Sequence, residues 1–201
     1  MKMSVLDRIF LLLTGLLAAY EIVVGIDKMG NLPIIAYTIA FGVLLVAGLL
    51  LIILGFDALD SPLVVIVSTI IPLSIATGLV WQHIDSLRVP YVLFAPIGFA
   101  AVTLTRLIPM QNKLPVITLA IVHGIAGMTI FLLPIITSIQ GKTDSLFSLV
   151  GVGGALIGIG GLLLSFLKTG RPILSQENIL KVLPGLLLLM TICFVTGFKY
   201  G

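Results

Sequence analysis

Two ionisable side chains stand inside long apolar stretches of the chain, where they could do chemistry. Glu21 follows Arg8 by thirteen residues, or about 20 Å along a helix, and His123 follows Lys113 by ten, or about 15 Å. If both stretches cross a bilayer, Glu21 lies in one half of it, His123 lies near the midplane, and their depths differ by about 5 Å. Ionisable groups within membranes are candidates for proton transfer or ligand binding. The sequence therefore predicts a buried polar or proton-linked pair, Glu21 and His123, provided that their helices touch.

Each of these two side chains also has a simpler interpretation. Glu21 could be a carboxyl close to the membrane surface that is protonated or bonded to a neighbouring Thr or Tyr. His123 is interpreted first as a neutral histidine bonded to a backbone carbonyl or to a Ser or Thr of a neighbouring helix, because such bonds commonly join membrane helices. Its alternatives are a proton acceptor, a single axial ligand, or a hydrogen bond to a quinone-like head group.

The histidine and cysteine content argues against a metal or haem centre. Cys193 is the only cysteine, and no Cys/His cluster has metal-ligand spacing. His83 ends the third apolar stretch at a surface, about 15 Å in depth from His123, so a haem held between these two histidines is disfavoured. No catalytic motif with a nucleophile, a base or paired acids occurs. The sequence thus identifies no cofactor and favours a protein without catalytic chemistry of its own.

The composition indicates which elements position these residues. Of 201 residues, 59% are hydrophobic and only 9% are charged, and the mean hydropathy is +1.29. Soluble domains carry about 25% charged residues, so the expected solvent of this chain is a lipid bilayer. The net charge is only +3, and no run of Lys and Arg could follow a phosphate backbone, which argues against nucleic acid as a partner.

Seven apolar stretches are each close to the length of about 20 residues that a spanning helix needs. Short connectors with turn residues and charges separate them, and none is long enough for a soluble domain. The sequence thus predicts an all-α fold, a polytopic transmembrane helix bundle with seven spans in one integral membrane domain over residues 1–201. The predicted spans are Arg8–Ile26, Pro33–Phe56, Pro62–Gln82, Pro90–Ile108, Pro115–Ile139, Leu146–Leu167 and Ile179–Phe198.

The basic residues predict how the bundle is oriented. With an odd number of spans, the two chain ends lie on opposite sides of the membrane. Seven basic residues fall on the amino-terminal side and four on the other, so the amino terminus is predicted to be cytoplasmic and the carboxy terminus to lie on the opposite side. The amino-terminal side holds Lys2, Arg8, Arg106, Lys113, Lys168, Arg171 and Lys181, and the other side holds Lys28, Arg88, Lys142 and Lys199.

One stretch of the sequence occurs twice. Residues 29–42 read MGNLPIIAYTIAFG and residues 110–124 read MQNKLPVITLAIVHG, which match after one insertion. Weaker echoes keep an offset of about 83 residues, which covers three spans. An odd number of spans per repeat inverts the second copy, as in many transporters. The pattern predicts a 3+3 inverted repeat over residues 8–88 and 90–171, with an extra helix over residues 179–198.

The sixth apolar stretch is rich in glycine. Gly154 and Gly158 form a G-x-x-x-G pattern, and Gly161 extends that face by one turn. Small residues at this spacing let membrane helices approach closely, so the pattern predicts a helix-packing face. It is not a dinucleotide fingerprint, since that motif follows a strand and needs glycine where Leu156 stands.

Two functions fit these features. The first is a membrane-embedded subunit that packs against partner subunits, a second copy of itself, lipid or quinone. The alternative is a small inverted-repeat transporter or channel for a proton-coupled or weakly polar solute, with Glu21 and His123 among its few polar groups. The first is favoured because a charged solute would need more polar groups than the apolar stretches hold.

Overall fold

The structure is a computed structural model, and it describes residues 3–25, 30–108, 113–168 and 174–200, with the backbone alone at residues 60 and 165–168. All regular structure in these ranges is helical, which confirms the predicted all-α fold. Six helices are long and apolar enough to cross a membrane, and the first is of similar length but carries three charged residues. The helices are α1 (Val5–Val24), α2 (Asn31–Leu54), α3 (Pro62–His83), α4 (Arg88–Leu107), α5 (Leu114–Ile139), α6 (Ser148–Lys168) and α7 (Gln176–Phe198), with short 3-10 turns at Gly55–Asp60, Asp85–Leu87 and Ser145–Phe147.

Local sequence signals explain where the helices begin and end. α1 starts three residues earlier than predicted because the Asp7 N–H donates to the Ser4 hydroxyl (3.1 Å) and the Ser4 N–H donates to the Asp7 carboxylate (2.8 Å). It ends at Gly25, whose φ of 70° favours glycine. α6 starts two residues later than predicted, because Asp144 accepts from the Leu146 N–H (2.8 Å) and begins a 3-10 turn ahead of it.

Six of the helices close into a ring. Around it, α1 packs on α2, α2 on α3, α3 on α5, α5 on α6, α6 on α7, and α7 on α1. The remaining helix, α4, packs against α3 and α5 from outside the ring. Few side chains of α4 and α5 are buried, whereas α3 and α7 bury many. The bundle therefore presents α4 and α5 most fully to lipid.

Consecutive helices run in opposite directions through the bundle. At one end, Leu11 of α1 packs with Leu51 near the end of α2 and with Ala58. We call this the N-terminal end. At the other, C-terminal end, Phe198 of α7 packs on Tyr37 near the start of α2. The described chain thus begins and finishes at opposite ends of the bundle, while the side that faces the cytoplasm stays a prediction.

The inverted repeat also stays a prediction. Within each proposed half the helices pack in the same order, α1 on α2 on α3 and α4 on α5 on α6. Between the halves, α3 packs on α5. In the proposed repeat α6 corresponds to α3, but α6 packs on α5 and α7 and so does not make the matching contact with the other half. Outside the described residues lie Met29, Met110, Asn112 and Arg171 of the repeat, Lys2 and Lys28 of the charge pattern, and Ile26 of the first predicted span.

Aromatic side chains fill the C-terminal end of the ring. The centre of the Phe198 ring lies 4.4 Å from that of Tyr37, 6.1 Å from Phe41, 6.2 Å from Phe194 and 6.4 Å from Phe147. All five side chains are at most 2% exposed. These separations are typical of packed aromatic rings, so α2, α7 and the 3-10 turn at Ser145–Phe147 meet around an apolar interior.

Candidate functional site

Glu21 lies near the end of α1, at the C-terminal end of the bundle. Its side chain is 7% exposed and lines a small cavity of about 10 Å³ with Gly25, Tyr37 and Thr38. A cavity of about this size holds one water molecule. The Tyr37 hydroxyl does not donate to this carboxyl, because it donates to Gln82 Oε1 instead (2.5 Å). Glu21 is therefore a buried carboxyl that shares a small cavity with Tyr37 and Thr38 of α2.

Tyr37 is a central polar side chain that the sequence analysis did not single out. Its hydroxyl joins α2 to α3 through Gln82, and its ring lies against Gly78, where a β-carbon would be 2.5 Å from Tyr37 Cε1. The available signal was a tyrosine inside an apolar stretch, because a buried tyrosine hydroxyl usually needs a hydrogen-bond partner. Its partner could not be read from the sequence, since Gln82 is 45 residues away.

A second polar group lies at the turn between α3 and α4. Arg88 forms an ion pair with Asp85 (2.8 Å), its Nε donates to the Trp81 carbonyl (2.5 Å), and its guanidinium lies 5.5 Å from the centre of the Trp81 ring. The His83 ring lies 5.2 Å from that of Phe147, and its Nε2 is buried without a hydrogen-bond partner. This turn has the tryptophan and arginine that membrane surfaces favour.

His123 lies half-buried on α5, beside the carbonyl of Leu119 one turn earlier. Its Nδ1 is buried and has no hydrogen-bond partner. Arg106 on α4 is within electrostatic range of the ring, and the Nε of this arginine is also buried and unpaired. The Leu119 carbonyl is a backbone partner of the kind that the simpler interpretation of His123 named, and that interpretation stays a prediction. The charged neighbour of His123 is an arginine that sequence reasoning placed only in the charge pattern.

The structure does not bring Glu21 and His123 together. α1 packs on α2 and α7, whereas α5 packs on α3, α4 and α6, so their helices are not neighbours in the ring. The two histidines also have separate surroundings, since His83 packs on Phe147 and His123 lies near Arg106. Depth along a helix was readable from the sequence, but the order of helices around the ring was not.

The glycines of α6 fall into two groups. A β-carbon on Gly154 would lie 2.8 Å from Ile130 Cγ2 and 3.2 Å from the Ile130 carbonyl carbon, so this glycine packs closely on α5. Gly158 and Gly161 are exposed, and a β-carbon on either would meet no atom within 4 Å. For these two, helix packing stays a prediction that needs a partner outside the chain. Close contacts that the pattern did not identify occur at Gly151, Gly153 and Gly160.

Two further observations concern what the described residues could bind. A hollow of about 360 Å³ opens at the N-terminal end and is lined by Met3, by Arg8 of α1, by the end of α2 and by the 3-10 turn after it, which includes Asp57. Across the described ranges, no three His, Cys, Asp or Glu residues group in a way that could hold a metal ion. Comparison with protein-family models, with curated proteins and with solved structures gave no match for the chain.

Proposed function

We propose that this integral membrane protein is a membrane-embedded subunit without catalytic chemistry of its own, which binds transmembrane helices of a partner. The observation that carries the proposal is the filled C-terminal end of the ring, where five aromatic side chains are at most 2% exposed. Three buried hydroxyls elsewhere in the bundle do not line a polar path either. Thr14, Thr69 and Thr191 are fully buried, and each donates to the carbonyl one turn earlier in its own helix.

The outer face of α6 supports binding of another helix. Gly158 and Gly161 are exposed and open, and Ile159 and Leu162 beside them are more than half exposed. Small residues about one turn apart let two membrane helices approach closely and gain dispersion contacts. Gly154, on the same stripe, already packs in this way on α5. We expect a partner helix, from a second copy or from another subunit, to pack on the remaining two glycines.

Gentle isolation of the protein from its membrane tests this role. The wild type is expected to migrate on a native gel as a complex, and cross-linking with mass spectrometry should identify the partner. The variant with Gly158→Leu and Gly161→Leu is expected to migrate alone, because leucine side chains hold the partner helix away. Gly42→Leu is the matched control, since Gly42 is also open but lies on α2 across the ring. A wild type that migrates as a single copy contradicts the proposal.

The alternative, a small transporter or channel for a proton-coupled or weakly polar solute, is favoured by one observation. Glu21 lines a cavity of about 10 Å³ with Tyr37 and Thr38, and buried carboxyls beside water serve as proton relays in transporters. A pH-sensitive dye inside liposomes that contain the purified protein would report proton flux. Flux that depends on a solute and disappears in Glu21→Gln would favour transport over the subunit role.

A further inference from the structure

The hollow at the N-terminal end lies where α1 begins and α2 ends. A β-carbon on Gly48 of α2 would lie 3.6 Å from the Leu11 carbonyl oxygen of α1, so these two residues are at one level. Because the two helices are antiparallel, Arg8 of α1 and the last turn of α2 both lie beyond this level, toward the N-terminal end. The hollow of about 360 Å³ opens there, and its size is within the range of small-molecule binding sites.

Two opposite charges face this hollow. Arg8 of α1 and Asp57 of the 3-10 turn after α2 both line it, and both are exposed. Neither forms an ion pair with the other or with any described side chain. Asp7, the acid next to Arg8, is turned into the bundle, where its carboxylate accepts the Ser4 N–H. The hollow thus offers a cation and an anion that are separate from each other and free to bind a ligand.

The backbone around the hollow has the same polarity as these two side chains. α1 begins beside Met3, and the N-terminus of a helix carries partial positive charge. α2 ends at Leu54, which lines the hollow, and the C-terminus of a helix carries partial negative charge. Gly55, with a φ of 73°, ends α2 and leads the chain into the turn that carries Asp57. The α1 side therefore favours an anionic group and the α2 side a cationic group.

The other five lining residues are apolar, and two of them face outward. Ile53 and Leu54 are 74% and 58% exposed, and both line the hollow itself. In a bilayer, exposed aliphatic side chains of a spanning helix are in contact with lipid. A ligand that continues from its charged groups into acyl chains would cover these two side chains, whereas a soluble zwitterion would leave them uncovered. The lining therefore favours a lipid head group as the occupant.

We propose that this hollow binds the head group of phosphatidylethanolamine, with the phosphate at Arg8 and the ammonium at Asp57. A guanidinium holds a phosphate through two parallel hydrogen bonds, and a primary ammonium donates up to three, which a carboxylate accepts. The head group has no net charge, like the pair that receives it. Phosphatidylcholine has no N–H on its ammonium, and phosphatidylglycerol has no cation, so neither can donate such a bond to Asp57. This site does not depend on the proposed subunit role.

Native mass spectrometry of the delipidated full chain in detergent tests the proposal. Phosphatidylethanolamine, phosphatidylcholine and phosphatidylglycerol with identical acyl chains compete at equal concentration, and the mass of each complex identifies the bound lipid. Phosphatidylethanolamine is expected to bind about 10- to 100-fold more tightly than either, the value of one hydrogen bond to a charged group. Equal binding of the three lipids overturns the proposal. Displacement by an equal concentration of soluble glycerophosphoethanolamine also overturns it, because the site would then bind a soluble zwitterion.

Charge variants locate the site. Arg8→Gln is expected to weaken phosphatidylethanolamine binding about tenfold or more, and Asp57→Asn to remove the preference over phosphatidylglycerol. Asp85→Asn is the matched control, because Asp85 is also an exposed acid in a 3-10 turn but lies at the other end of the bundle. Both test residues are exposed, so the Tm of the lipid-free variants should match the wild type. An Asp57→Asn variant that keeps the full preference contradicts the site, and this variant decides alone if Arg8→Gln does not fold.

Discussion

The ring of Tyr37 occupies the space that a β-carbon on Gly78 would need, since such an atom would lie 2.5 Å from Tyr37 Cε1. One turn further along α3, Gln82 accepts the hydrogen bond of the Tyr37 hydroxyl. Residues four apart share a helix face, so a glycine and an amide of α3 together hold one aromatic ring of α2. Phe198 covers that ring from α7, with ring centres 4.4 Å apart.

Gly78→Ala should destabilise the protein by about 1–3 kcal/mol, because the new methyl group forces the buried Tyr37 ring to move. Reversible unfolding of the purified protein in mixed micelles would measure this. Gly127→Ala is the matched control, since Gly127 is also inside a helix but its β-carbon would meet no atom within 4 Å. That change should be neutral or stabilise by up to about 1 kcal/mol. Equal effects of the two variants would rule out the clash.

Tyr37→Phe should cost about 0.5–1.5 kcal/mol, because it leaves the half-buried Gln82 amide oxygen without its partner on α2. The double variant with Gln82→Leu should cost less than the sum of the two single changes, since both partners are then removed. Unfolding free energies of the four proteins form a double-mutant cycle. A coupling energy near zero would show that the hydrogen bond does not contribute to stability.

The glycines of α6 should differ in their effect on the isolated chain. Gly154→Ala is expected to destabilise it by about 1–3 kcal/mol, because the methyl group would lie 3.2 Å from backbone atoms of α5, which cannot rotate away. Gly158→Ala should leave the stability of the single chain unchanged or raise it by up to about 1 kcal/mol, since its side is open. Unfolding of the protein at a dilution where it is a single copy is the appropriate measurement. A large loss at Gly158 would mean that this face packs within the chain.

Glu21→Gln should preserve the fold and leave stability unchanged or raise it. The amide has nearly the same shape and avoids the cost of placing a charge at this buried position. The matched control is Glu177→Gln, an exposed acid paired with Lys181, for which no measurable change is expected. Thermal unfolding in detergent compares the three proteins. A marked loss in Glu21→Gln alone would show that the ionised carboxylate has a structural partner.

Cysteine labelling should place the two ends of the bundle on opposite sides of the membrane. In a Cys193→Ala background, Asp57→Cys puts a thiol at the N-terminal end, and Lys142→Cys puts one at the C-terminal end. A membrane-impermeant maleimide added to intact cells should label the second variant, and should label the first only after permeabilisation. Labelling of both variants in intact cells would contradict the predicted orientation.

The sequence by itself indicated that lipid surrounds the chain and where its helices lie. It also predicted the depth of Glu21 and His123 in the membrane. With 59% hydrophobic and 9% charged residues, the chain must satisfy its backbone hydrogen bonds internally in lipid, which makes long apolar stretches helical. For the same reason, the predicted span Pro62–Gln82 differs from α3 by a single residue. Distance from a charged connector also indicated how deep Glu21 and His123 lie, because helical rise per residue is constant.

Only the tertiary structure decided which side chains meet. Neighbours around the ring depend on the fit of whole helix surfaces, and so Glu21 and His123 were predicted as a pair although α1 and α5 are not neighbours. Rotation of each helix about its axis follows from the same packing. It turned Gly154 inward and Gly158 outward on one stripe of α6. Lipid is as apolar as the core, so hydrophobicity alone does not distinguish a buried helix face from an exposed one.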